Sequence, residues 1–413
     1  VKTRSLAPLL AASLALPFSL HADDWPEFRG PTGMGHSADT DVPTEWDDVR
    51  NVAWRTPIDG QAWSSPIVIG PAVYVTTAVE RGSKLSIRAI GLKASDGSVV
   101  WDTEIFAIDS SNQHQKNSHA SPTPIHEDGK IYAHFGHYGT AALDAKTGEV
   151  LWTQESLAYK PVHGTGSSPI LVGDHLIYSA DGAEDPLLIA LDKTTGKVAW
   201  KTPRAVEVGR KFSFATPLAI EVDGTTQVIS PASGAVIAYD PESGDEIWRV
   251  GYGDGYSVVP RPIYADGTLY VCSGFNTATV YAIKPGGTGD LTDTNILWEY
   301  GKAVPKESTP IYVDGILYMN ADNGVGTALD AKSGEVLWQE RLTSRGNYSA
   351  SPVYAGGHLY FHNEDGVTTV VKPGPELEIV AQNELGEKGL SSFAVADGSF
   401  FIRTDENLYR IGK

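Results

Sequence analysis

Short runs of alternating apolar and polar residues, joined by turn-forming residues, fill this chain, and period-two alternation predicts strands. Residues 142–152 read ALDAKTGEVLW: an apolar run, an Asp, a Lys-Thr-Gly turn, and a second apolar run closed by Trp. The pattern returns at 190–200 (ALDKTTGKVAW), at 328–338 (ALDAKSGEVLW) and, more loosely, at 238–248 (AYDPESGDEIW). Each copy predicts a β-hairpin. Between copies lies a second block, SSPIVIG from Ser64, ASPTPIHEDGKIY from Ala120, SSPILVGDHLIY from Ser167, RPIYADGTLY from Arg261, STPIYVDGILY from Ser308 and ASPVYAGGHLY from Ala350. Asp-Gly or a similar pair splits it into two further strands.

The closing Trp stands at 54, 101, 152, 200, 248, 298 and 338, spaced by 40 to 51 residues, the length of one four-stranded propeller blade. The ends complement each other. Residues 51–57 (NVAWRTP) form a lone fourth strand, D, and residues 391–411 supply strands A, B and C without a D. The expected fold is all-β, an eight-bladed propeller of four-stranded antiparallel blades over residues 51–413, its last blade closed by the N-terminal strand. Closure removes the exposed edges. Two repeats depart from the pattern: the fifth has the longer loop PGGTGDLT from Pro285, and the seventh has Glu378-Ile379-Val380 where a Trp is due. Residues 23–50, with Trp25, Phe28 and Trp46, are expected to lie as an arm on the body, because those rings are costly to leave in water.

Residues 1–22 carry Lys2 and Arg4, then an apolar run too short to span a bilayer, then Ala22, which reads as a secretory signal. The expected location is periplasmic or extracellular, soluble and without membrane insertion; no cysteine lies near the cut, so a lipoprotein is not expected. Cys272 is the only cysteine, so no internal disulfide can form. The net charge of −19 supports solubility and disfavours nucleic acid.

These hairpins resemble the pyrroloquinoline-quinone (PQQ) type propeller repeat of quinoprotein dehydrogenases and of BamB-like assembly factors. The WPEFRGP arm, the NVAWRTPI entry and the YAIKPGGTGDLT loop are similar to secreted BamB-like propellers. The resemblance implies an exported, monomeric, non-catalytic scaffold whose partner is another exported or outer-membrane protein. Its alternative is a PQQ-dependent dehydrogenase, which the resemblance ties to a Trp, a vicinal disulfide, calcium held by carboxylate and amide oxygens, and an Asp base. One cysteine excludes the vicinal disulfide, no Cys-x-x-Cys-His haem attachment occurs, and no cofactor is expected. A carbohydrate-binding propeller is a second alternative, resting on Trp63 and Tyr348 beside Glu307.

Tight turns join A to B and C to D; the longer D–A and B–C loops emerge on the opposite face, where binding is expected. The longest D–A connection runs from Trp101 to Pro122. Three residues before each strand-A Pro stand Trp63, His119, Gly166, Phe214, Val259, Glu307 and Ser349, with His163, Arg261, Lys306 and Tyr348 nearby. Trp63, His119, His163, Arg261, Lys306, Glu307 and Tyr348 are the candidate channel-mouth residues. Arg261 is the most individual, standing where other repeats have Ser or Thr. His114, His119, His126, His134 and His137 cluster in sequence, but strand alternation would send His134 and His137 to opposite faces unless Gly136 makes a bulge, so hydrogen-bonded loop histidines are expected, not a metal site. The segment from Gly289 to Asp293 lacks the ordered oxygen series of a calcium loop and reads as a turn.

Overall fold

A computed structural model describes residues 24–109, 112–157, 159–343 and 345–413; the expected signal segment lies outside the described residues. Eight sheets are arranged as blades around one axis, each with four antiparallel strands, and the last pairs Val52–Pro57 with Asn407–Ile411. The innermost strands are short, as in Ile67–Ile69 and Ile170–Val172. The Asp-Gly turns adopt the left-handed conformation that a tight hairpin needs, with φ of +49° and +74° at Asp128 and Gly129.

The recurrent hairpin is a device for joining blades. Asp144 Oδ1 accepts from the N–H groups of Lys146 and Thr147 and from the Thr147 hydroxyl, which folds the turn and holds the carboxyl below its ordinary pKa. Gly148 then sits at φ +73°, where a Cβ would lie 2.6 Å from the Trp101 ring of the preceding blade. Trp101 lies flat on that glycine and donates Nε1–H to Ala145 O at 3.0 Å. Trp54, Trp152 and Trp200 make the same bond to Ala94, Lys193 and Pro241, at 2.8, 3.1 and 3.0 Å.

Both irregular repeats are compensated. The loop of the fifth repeat leaves Trp248 without a turn carbonyl, and its Nε1–H goes to Gln227 Oε1 of its own blade instead, at 2.8 Å. Gly289–Asp290 folds back as a fifth, parallel strand on Glu246–Gly251, so this segment covers a sheet edge. In the seventh blade Ile379 is exposed. Trp46 of the N-terminal arm packs at that seam, its ring stacked on Tyr360 and packed on Phe400 at centroid distances of 6.1 and 5.5 Å. Tyr360 occupies the strand-B position at which Tyr74, Tyr132 and Tyr318 meet the Trp of their own blades. The arm supplies the ring that the repeat lacks.

The rest of the arm closes one end of the channel. Trp25 pairs with Val68 of the first blade, Pro26 O accepts the His126 N–H of the second, and His36 bridges to Tyr354 of the seventh. Between these points residues 27–34 dip toward the axis. Arg29, 1% exposed, donates to Pro310 O, Pro352 O and Met34 O at 3.0, 3.1 and 2.8 Å.

Gly148→Ala is expected to cost about 1–3 kcal/mol through backbone strain and collision with Trp101. Gly129→Ala, at φ +74° with nothing within 4 Å of a Cβ, carries strain alone and is the reference. Urea midpoints of the two variants measure the difference. By the same assay Trp46→Ala loses about 3–5 kcal/mol, the cost of an emptied aromatic site.

Candidate functional site

Because the arm stops one end, the axial channel becomes a pit of about 430 Å³ that opens toward the long loops. Phe28 of the arm borders it, and every blade contributes to its wall. The wall is built by the residue before each strand-A Pro. Ser65 N donates to Thr123 Oγ1, Thr123 N to Ser168 Oγ, and Ser168 N to Thr216 Oγ1, at 2.9 to 3.0 Å. Across the ring, Thr309 N donates to Ser351 Oγ and Ser351 N to Ser392 Oγ at 3.0 and 2.9 Å. A belt of hydroxyls thus ties the first four inner strands to one another and the sixth to the seventh and eighth.

Arg261 interrupts the belt, and for a visible reason. Its backbone N–H still donates to Thr309 Oγ1 at 2.9 Å, but its guanidinium replaces the hydroxyl. Nε–H reaches Pro217 O of the preceding blade at 3.1 Å, and Nη1–H reaches Phe28 O of the arm at 2.6 Å. Glu27 lies 3.4 Å from Nη2; burial pushes its carboxyl up in pKa, against the opposing pull of Arg261. Burial, then the nearby Arg261 charge, lowers Arg29 to about 9, which leaves it a cation at neutral pH. Gly33, at φ +69°, packs so closely on Arg261 that a Cβ would lie 2.4 Å from Nη1. Arg261 therefore clamps the arm beneath the pit and does not stand at the mouth.

The mouth is crossed by the long connection after Trp101. Lys116 in that loop lies 3.1 Å from Glu307 and 2.9 Å from Glu364, on the far side of the ring. Ser349 Oγ lies 2.5 and 2.6 Å from the same two carboxylates, and its single proton serves one of them at a time. Burial alone would lower the Lys116 pKa; the two acids outweigh it and raise it. Along another sector Arg210 lies over Tyr256 at 4.5 Å and Lys306 over Phe275 at 4.7 Å.

Of the seven candidate residues, the pit collects Trp63, His163 and Glu307. Lys306 stands at the rim, 4.0 Å from Asp322. Tyr348 is fully buried in the apolar seam with Trp338 and Leu342 and does not border the pit. His119 is also misplaced by the sequence reading. The second repeat carries two prolines, Pro122 and Pro124, and the belt uses Thr123, so the residue that borders the pit there is Ser121. His119 Nδ1 hydrogen-bonds the Tyr138 hydroxyl at 2.8 Å. The alternation assumed for His134 and His137 fails too: the strand ends at His134, and Gly136–Tyr138 forms a 3-10 turn. His134 stacks on Tyr178 at 3.9 Å and bonds Thr140, while His114 packs against His163. Lys116, Glu364 and Phe28 were missed; only the unusual length of the Trp101 loop hinted at the first.

A family model described as the outer membrane protein assembly factor BamB matches residues 86–210 and 232–374, more than half of the chain. The chain belongs to this family of PQQ-type propellers. The BamB of Burkholderia pseudomallei is 26% identical over 83% of this chain and 81% of its own. A quinoprotein ethanol dehydrogenase of Pseudomonas aeruginosa is 30% identical, but over 32% of this chain and 23% of its own length. The chain thus spans about a quarter of that dehydrogenase. Among solved structures, BamB from Moraxella catarrhalis superposes with a TM-score of 0.60 at 16% identity, over 87% of this chain and 96% of that one. A quinohemoprotein alcohol dehydrogenase of Pseudomonas putida also gives 0.60, at 12% identity, over 95% of this chain and 81% of its own. Both share the fold.

The pit residues do not match the quinone and calcium site that dehydrogenase kinship implies. Cys272 is buried in the apolar cluster of the fifth and sixth blades, away from the pit. Glu307 and Glu364 are taken up by Lys116, and Asp322 accepts the Lys306 N–H at 3.0 Å. Among the described residues no three His, Cys, Asp or Glu side chains are grouped to hold a metal ion.

Arg261→Thr restores the hydroxyl of the repeat and removes the clamp. The expected result is an intact propeller whose residues 24–50 become cleavable in limited proteolysis, followed by mass spectrometry. Burial lowers His134 to about 3 and His362 to about 4, whereas an unfolded His titrates near 6.5. Between those values the unfolded chain binds more protons, so stability is full above about pH 6.5 and is lost as pH falls. Each histidine contributes a slope of up to about 1.4 kcal/mol per pH unit. Urea midpoints from pH 7 to 4 should fall, and His134→Gln should flatten the curve.

Proposed function

We propose that this chain is an exported, non-catalytic scaffold that binds another exported or outer-membrane protein through its long-loop face. The observation that carries the reading is the strap of Lys116 across the mouth onto Glu307 and Glu364. It commits the ionisable groups nearest the axis to holding the loops in place. Around that strap the same face presents Arg210, Lys306, Tyr256 and the partly exposed Phe275, the aromatic and cationic mixture that anchors protein interfaces. The opposite face offers short turns and is covered near the axis by the arm. Kinship with BamB supports a scaffold at the level of the family.

Among the described residues no helix is long and apolar enough to cross a membrane. The leader-like residues 1–22 support export, and N-terminal sequencing of the secreted product tests the cut after Ala22.

The test compares faces. Arg210→Glu with Phe275→Ala, on the long-loop side, should reduce capture of a cross-linked partner about tenfold or more, as removal of interface anchors does. Lys146→Glu with Lys332→Glu, in the tight turns, should leave capture unchanged. Equal loss on both faces would sink the reading. So would dye reduction by an alcohol or sugar after loading with PQQ and calcium.

A further inference from the structure

The belt of hydroxyls is one-sided in its chemistry. Thr123, Ser168, Thr216, Ser351 and Ser392 each accept a backbone N–H from the neighbouring blade and border the pit. None donates its own proton to a protein acceptor among the described residues. Ser65 stands at a gap in the belt: it is 1% exposed, borders the pit, and its Oγ has no hydrogen-bond partner among the described residues. Trp63, which also borders the pit, has a buried Nε1–H without an acceptor among the described residues. Buried donors left in this state are costly, and a ligand that supplies acceptors relieves the cost.

Charge points the same way. Arg29 and Arg261 lie beneath the pit, two cations against the one carboxylate of Glu27, which pairs with Arg261 at 3.4 Å. The rim carries Glu307, Glu364 and Asp322 against Lys116, so the cations that favour an anion are those on the floor and wall below it. Arg210 adds a cation on the wall. Phe28, Phe214 and the Trp63 ring supply apolar surface between the polar groups.

We propose that the pit is a carboxylate site: it takes an organic carboxylate on an aromatic or apolar body, the carboxylate accepting from the hydroxyl belt and the Trp63 N–H. The group is either a free organic acid or the end of a partner's chain inserted along the axis. The second source rests on the scaffold reading. The first does not.

Calorimetric titration of the full protein tests this with phenylacetate, phenylacetamide, and one short peptide made with a free and with an amidated C-terminus. Phenylacetate should bind at least about tenfold more tightly than its amide, the usual worth of charge-assisted hydrogen bonds in a buried site. Ser65→Ala removes a hydroxyl that no described residue uses, so it should fold normally. It should weaken phenylacetate by about five- to tenfold and leave the amide unchanged. Trp63→Phe, which keeps an aromatic face but removes the N–H and part of the ring's area, should weaken phenylacetate more than the amide.

Preference for the free-acid peptide over its amide assigns the site to a chain end. Heat with phenylacetate but with neither peptide supports the carboxylate site and counts against the partner-chain source. Equal binding of acid and amide, or no heat with either by folded protein, overturns the proposal. Partner capture that survives Ser65→Ala in that last case leaves the scaffold reading standing on its own.

Discussion

The ring depends on one contact repeated around it: a Trp of one blade lying on a glycine of the next. The turn Asp sets the loop, the glycine takes a left-handed conformation and leaves room for the ring, and the indole N–H closes onto a turn carbonyl. Each part needs the others. A side chain at the glycine would lift the indole, and without the indole the seam would lose both its apolar plate and its polar bond. Where the repeat fails, the structure shows which part was indispensable. The fourth blade keeps its Trp and borrows an acceptor from Gln227, and the seventh borrows a ring, Trp46, from the arm.

That borrowing makes the arm part of the propeller. It fills a seam at one end and, through Arg29, binds carbonyls of the sixth and seventh blades at the axis. Arg261 answers from the fifth blade by holding Phe28 O. Two buried guanidiniums, held by backbone carbonyls and, for Arg261, also by Glu27, turn an open channel into a blind pit. The chemistry available at the long-loop end is then set from below by the arm and from above by the strap of Lys116.

The blade count and the closure by residues 51–57 were legible because they rest on periodicity, which survives variation at any one position. The site was less legible because it is assembled across repeats. Lys116 and Glu364 are far apart in sequence, and neither stands out locally. His119 was chosen because the second repeat offers two prolines, and a shift of two residues keeps the strand face but changes which residue reaches the axis. Arg261 was recognised as exceptional, yet its role depends on an arm whose path no periodicity describes. The hydroxyl belt was present in the sequence as Ser or Thr before Pro in repeat after repeat, although its donors and acceptors appear only when neighbouring blades are seen together.

The strand that completes the eighth blade, Val52–Pro57, precedes its partner, Asn407–Ile411, by seven whole blades of chain. Loop-closure entropy disfavours so distant a pairing until the intervening blades have collapsed. Residues 24–50 must therefore wait, with Trp46 and Arg29 unsheltered, until the seventh and eighth blades exist to receive them. Sealing the pit and fastening the ring become a single terminal event. A chain cut short near its end would lose its plug as well as its clasp.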